Sequence, residues 1–125
     1  MTKFRMILAA LSVTSLGLLT LPATSHAAPA PPPSGFCPGS SATYPWAAGT
    51  LWDGKVFLGG GRLINRTVAG DLVPGTITRI SDTRWRIDYP GLPVTDYLTA
   101  RGGGRYAGTI EVLGSPAGTF ALQCR

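Results

Sequence analysis

The sequence predicts an all-β fold, a small antiparallel β-sandwich or barrel of about six to eight strands. Three observations predict it. From residue 35 onward Gly or Pro cuts the chain about every 8–12 residues, and 16 of the 17 glycines lie in that region. Between the cuts stand Val, Ile, Thr, Tyr, Phe and Trp, which pack well on a pleated surface. No long stretch keeps the apolar period of an amphipathic helix.

The elements follow in chain order. Residues 1–27 read as a cleavable secretory signal peptide. Lys3 and Arg5 supply a positive start, residues 6–21 an uncharged apolar run, and Pro22 its end. Ser25-His26-Ala27 then places small residues at the −3 and −1 positions of a cleavage site. The apolar run has 16 residues, short of the roughly 20 that a membrane span needs, and no run of that length recurs. Stable membrane insertion is therefore not expected. Residues 28–35 form a Pro-rich, flexible N-terminal tail, and residues 36–125 a single secreted β-domain with a modest core. Cys37 opens that domain and Cys124 is its penultimate residue. In an oxidising compartment the two are most simply one disulfide tying the termini, which would constrain the unfolded chain by roughly 4–5 kcal/mol.

Three hairpins are marked. Trp52-Asp53-Gly54-Lys55 suits a type I′ turn, with Leu51 opposite Val56 and Trp52 opposite Lys55. Strands 76–80 and 85–89 flank Ser81-Asp82-Thr83-Arg84. An even loop there pairs Ile80 with Trp85, Thr78 with Ile87 and Thr76 with Tyr89 on one face, and brings Arg79 to Arg86 on the other. Strands 109–113 and 119–123 join through residues 114–118, with Phe120, Leu122 and Cys124 sharing the core face. Further strands are expected at 61–65 and 95–100. Gly-Thr followed by an apolar residue recurs at Gly49, Gly75, Gly108 and Gly118 without a fixed period and reads as a way of starting strands. Gly59-Gly60-Gly61-Arg62 and Gly102-Gly103-Gly104-Arg105 echo each other 43 residues apart. They read as strand connections, with corresponding places in two halves of the sheet or an anion-binding backbone concavity as alternatives.

Removing the leader removes the only histidine and both methionines. Lys55 and eight arginines (62, 66, 79, 84, 86, 101, 105 and 125) then face five aspartates and Glu111, a net charge of +3. Without histidine there is no triad base and no common zinc ligand, the Asp spacing matches no EF-hand loop, and no two carboxylates are brought together for glycoside hydrolysis. No catalytic residue, metal or cofactor is expected. The mild positive charge favours anionic surfaces, yet acids interrupt the arginines and argue against nucleic acid, which wants a continuous basic stripe. Asn65-Arg66-Thr67 is a glycosylation sequon, expected to be idle because the Ala-, Gly- and Arg-rich composition points to a bacterial source.

What remains is surface. Tyr44, Trp46 and Trp52 are expected to be partly exposed aromatics able to stack on sugars or anchor an interface, and Arg79, Arg84 and Arg86 to form a small basic face. The leading expectation is a secreted, monomeric, non-catalytic binding domain for a polysaccharide, cell-wall polymer or protein partner. The alternative is a secreted protease inhibitor presenting residues 89–94 or 114–118 as a rigid loop, with a small toxin behind it.

Overall fold

The computed structural model describes residues 30–41 and 51–124 of the chain. The expected signal peptide, Tyr44 and Trp46 lie outside the described residues. Eight strands follow one another: β1 (Gly35–Ser40), β2 (Trp52–Gly59), β3 (Arg62–Thr67), β4 (Gly70–Arg79), β5 (Arg84–Asp88), β6 (Val94–Gly102), β7 (Arg105–Val112) and β8 (Ser115–Gln123). Each pairs antiparallel with the next, and β8 returns to β1, so the sheet closes into an up-and-down barrel. Closure removes the exposed edges that an open sheet would carry.

Closure is shortest at the β1–β8 seam, where the ladder pairs Gly39 with Leu122 and Ser40 with Ala121. The same register continued places Cys37 opposite Cys124, and these two form the disulfide, with Cα atoms 4.4 Å apart. That separation is the one expected of directly opposed residues in a non-hydrogen-bonded antiparallel pair. The staple thus extends a register that the backbone already sets.

Inward positions alternate along each strand and make the core: Phe57, Leu63, Trp85, Ile87, Leu98, Tyr106, Leu122 and the two cysteines are all buried. One end, the base, carries the turns at 60–61 and 103–104 and the loop at 80–83. The two Gly-Gly-Gly-Arg segments are those two base turns. Gly59 pairs with Arg62 and Gly102 with Arg105, leaving Gly60-Gly61 and Gly103-Gly104 as two-residue turns with positive φ throughout, the geometry of a type I′ hairpin. They stand four strands apart, at corresponding places in the two halves of the barrel. Residues 30–34 lie beside the second of them, where Tyr106 Oη donates to the Ala30 carbonyl at 3.2 Å.

Three local expectations change. Asp53-Gly54 is not a turn. It lies inside β2 as a bulge, between the pairs Trp52–Thr67 and Gly54–Arg66. Gly54 has φ 151°, and a Cβ there would collide with the Cys37 carbonyl, so the Gly that resembled a turn residue is there for close backbone approach. The hairpin joining β4 to β5 is also one residue out of the expected register. Ile77 pairs with Ile87, Thr78 with Arg86 and Arg79 with Trp85, because Ile80 N–H bonds the Arg84 carbonyl around an odd loop. Trp85, Ile87 and Tyr89 face inward as expected, but Ile77 rather than Thr76, Thr78 and Ile80 joins them, and Arg79 and Arg86 do not meet. Finally, β7 and β8 are joined by Leu113-Gly114 alone, both at positive φ, a tighter turn than residues 114–118. Pro116 falls at the bulge that follows, opposite Glu111.

Candidate functional site

The end opposite the base is the mouth, bounded by the turns at 68–69 and 113–114, the loop at 89–93, and the residues Ser41 and Leu51 that lead into and out of the 42–50 connection. A cavity of about 510 Å³ lies there, within the range of small-molecule sites. Its walls are largely apolar, with Val94, Ile110, Val112 and Phe120 prominent. Its floor is not. Lys55, Asn65, Tyr89 and Asp96 meet there, all buried.

The strands bring these four together from distant parts of the chain. Lys55 shares the inward face of β2 with Phe57, Asn65 that of β3 with Leu63, and Asp96 that of β6 with Leu98. Lys55 Nζ donates to Asp96 Oδ2 at 2.9 Å, to Asn65 Oδ1 at 2.9 Å and to Tyr89 Oη at 2.5 Å. Tyr89 in turn donates to the same Asp96 oxygen. Asn65 also accepts from Trp52 Nε1 and donates to the Val73 carbonyl. Three donated bonds are the full complement of an ammonium, so Lys55 and Asp96 form a buried, charge-neutral pair.

Aromatic rings complete the enclosure. Lys55 Nζ lies 5.4 Å from the ring centre of Trp52, 5.2 Å from that of Tyr89 and 5.1 Å from that of Phe120, within cation–π range. Trp52 meets Phe120 edge-on at 5.5 Å. Each of the three rings occupies the space above a glycine: Trp52 over Gly39, Tyr89 over Gly75 and Phe120 over Gly108, where a Cβ would overlap the ring. The bulge at Asp53-Gly54 matters here too. Strict alternation would send Trp52 and Lys55 to opposite faces, and the extra residue turns both inward.

Burial lowers the affinity of Lys55 for its proton, and the Asp96 carboxylate partly restores it. Burial, then the Asp96 charge and hydrogen bond, raises Tyr89 well above the ordinary phenol range. Both shifts follow from charges held out of water. Among the described residues no group of three His, Cys, Asp or Glu side chains comes together to hold a metal ion.

The residues expected to bind are scattered. Trp52 does lie close to Lys55, but inside the barrel and half-buried rather than across an exposed turn. Arg79 is at the base, its guanidinium 4.6 Å from the Trp85 ring and bonded to the carbonyls of Ser81 and Asp82. Arg84 stands at the base rim, over Tyr97, and Arg86 lies farther along the outer wall in a salt bridge with Asp88. Arg79 and Arg84 therefore meet at the base, and Arg86 does not join them. Asn65, Tyr89 and Asp96 in the floor and Phe120 in the wall line the cavity without having stood out in the sequence as site residues. One signal was present: Lys55 is one of two lysines in the sequence, the other being Lys3, and it alternates in step with Phe57. No family model, no curated protein and no solved structure matches the chain.

Proposed function

We propose that this protein is an exported, non-catalytic binding barrel whose mouth cavity takes a small apolar molecule bearing one neutral hydrogen-bond donor, such as an alcohol. One observation carries the reading: an apolar cavity of ligand size ends on a buried ion pair. A buried ion pair is seldom the most stable filling for a core, since hydrophobic residues of the same volume commonly do as well or better. Its retention at the floor of an open cavity fits recognition better than stability.

The ligand's charge follows from the pair's neutrality. Lys55 is already matched by Asp96, so a carboxylate or an ammonium on the ligand would bring an uncompensated charge into a dry site. A hydroxyl adds none, and it can donate a hydrogen bond to the Asp96 carboxylate. The non-catalytic reading is supported by the same closure: the ammonium, the phenol and the Asp96 carboxylate hold one another in a fixed hydrogen-bonded set. Exposed Leu51, Val68, Leu92 and Leu113 surround the mouth and would ease entry of an apolar compound. A polysaccharide fits less well, because it asks for an open aromatic platform, and Trp52 is turned inward.

The test compares 1-decanol with decanoate, following Trp52 fluorescence and equilibrium dialysis together. Saturable binding is expected for the alcohol and at least about tenfold weaker binding for the acid, since one uncompensated buried charge costs more than about 1.4 kcal/mol. Ile110→Phe, which narrows the cavity, should weaken the alcohol. Failure of both compounds to bind, or preference for the acid, would overturn the proposal.

A further inference from the structure

We propose that the base of the barrel is a docking site for a linear polyol-phosphate polymer, a chain of alternating polyols and phosphodiesters. Five successive strands each bring one arginine to that end. Arg62 is the first residue of β3, Arg79 the last of β4, Arg84 the first of β5, Arg101 the last but one of β6 and Arg105 the first of β7. All five are exposed. Neighbouring strands lie about 4.8 Å apart, so the five positions trace an arc of about 19 Å along one rim.

The distribution of charge is as uneven as the geometry. Among the described residues only Asp82, in the loop at 80–83, adds an acid at this end. Elsewhere among the described residues Lys55, Arg66 and Arg86 stand with Asp53, Asp71, Asp88, Asp96 and Glu111, and each of those three cations is in a salt bridge. Arg62, Arg84, Arg101 and Arg105 make no salt bridge among the described residues. Arg79 is tethered to the carbonyls of its own loop and adds its charge to the rim. Among the described residues the base is thus a cationic end, and the rest carries a neutral to acidic balance.

The chemistry of the side chains selects the partner. All five are arginine, whose planar fork suits phosphate oxygens better than a lysine's point charge does. They are spread along an arc and do not converge on a pocket, which suits a repeating anion bound by several weak contacts and not a single phosphate. The arc runs into a shallow groove of about 660 Å³ bordered by Arg101, Arg105, Tyr106 and Gln123, in which a flexible chain could lie. Single-stranded nucleic acid fits less well because its bases need open aromatic faces, and of the rings beside the arc Trp85 and Tyr97 are already covered by Arg79 and Arg84 and Tyr106 is buried.

The experiment uses immobilised poly(glycerol phosphate) and the mature protein, at about 50 mM and about 200 mM salt. Retention at the lower salt, falling at least about tenfold at the higher, is expected of four to five phosphate contacts. The variant Arg62→Gln/Arg84→Gln/Arg101→Gln/Arg105→Gln should lose at least about tenfold in affinity at the lower salt, while Arg66→Gln/Arg86→Gln, on the outer wall, changes it less than about threefold. Near-ultraviolet circular dichroism of buried Trp85 and half-buried Trp52 checks that both variants are folded. No retention at low salt, an equal loss in the outer-wall variant, or tighter binding to single-stranded DNA or to phosphatidylglycerol vesicles would overturn the proposal. The cavity opens at the opposite end, so decanol binding reports on that site independently.

Discussion

Lys55 carries an ammonium into the middle of a barrel, and its neighbours make that tolerable in a lopsided way. Removing one member of a buried pair strands the other, which costs about 3–5 kcal/mol. Lys55→Met and Asp96→Asn should therefore each lower stability by about that much in urea unfolding. Replacing the whole polar floor is different. The triple variant Lys55→Met/Tyr89→Phe/Asp96→Leu leaves no charge or phenol without a partner, and its stability should fall within about 2 kcal/mol of the parent. It should also lose decanol binding, which separates recognition from folding. If the triple variant is as unstable as the single ones, the floor is structural.

The same residues shape the pH dependence. Lys55 is held below its ordinary 10.5, so between its folded value and 10.5 the unfolded chain binds more protons than the folded one and stability rises with pH. Tyr89 acts in the opposite sense. It is held well above its ordinary 10.0, so above about pH 10 the unfolded chain has released a proton that the folded chain keeps, and stability falls as pH rises. Tyr106 is also raised by burial. Near-ultraviolet phenolate absorbance should show Tyr89 and Tyr106 ionising later in the folded protein than in urea, and Tyr89→Phe should remove one of the delayed transitions.

At the scale of the strand, glycine and ring act as a unit. Gly39, Gly75 and Gly108 leave the pleat bare where Trp52, Tyr89 and Phe120 cross it, and a methyl group there must push the ring aside. Gly108→Ala should cost about 1–3 kcal/mol by overpacking, measured by urea unfolding, and should weaken decanol binding because Phe120 is part of the cavity wall. Two of these glycines begin the Gly-Thr-apolar repeats at 75 and 108. The repeat was visible in the sequence. Its purpose was not, because the ring that occupies each space belongs to another strand. The hairpins show the same division. The inward faces of Trp85, Ile87 and Tyr89, and of Phe120, Leu122 and Cys124, could be read from alternation within one strand. The pairing of β4 with β5 could not, since a loop of odd length moves every partner by one residue.

Across the whole molecule, stability rests on closure. The β1–β8 ladder is brief and the Cys37–Cys124 bridge lies on it, joining positions 87 residues apart. Opening the bridge should cost roughly 4–5 kcal/mol through the entropy of the unfolded chain. The loss should also be uneven. In Cys37→Ser/Cys124→Ser, hydrogen exchange is expected to rise first in β1 and β8, ahead of β6 and β7, whose ladder runs from Val94–Val112 to Gly102–Arg105. Uniform acceleration would show that the barrel opens as one unit rather than at its seam. Closure also gives the barrel two unlike ends, an apolar-rimmed mouth and an arginine base, and the two proposed activities divide between them.

The sequence by itself determined the β character, a scale of about six to eight strands, the disulfide and the core faces of β5 and β8. These depend on composition and on a period of two, both local to the chain. Only the tertiary structure decided that the sheet closes, that Asp53-Gly54 is a bulge, and that Lys55 and Trp52 turn inward. The physical reason lies in the partners: Lys55 is held by residues 10, 34 and 41 positions away, and Gly54 is required by a carbonyl on β1. A bulge or a one-residue shift in register costs little within its own strand. What selects it is the strand alongside.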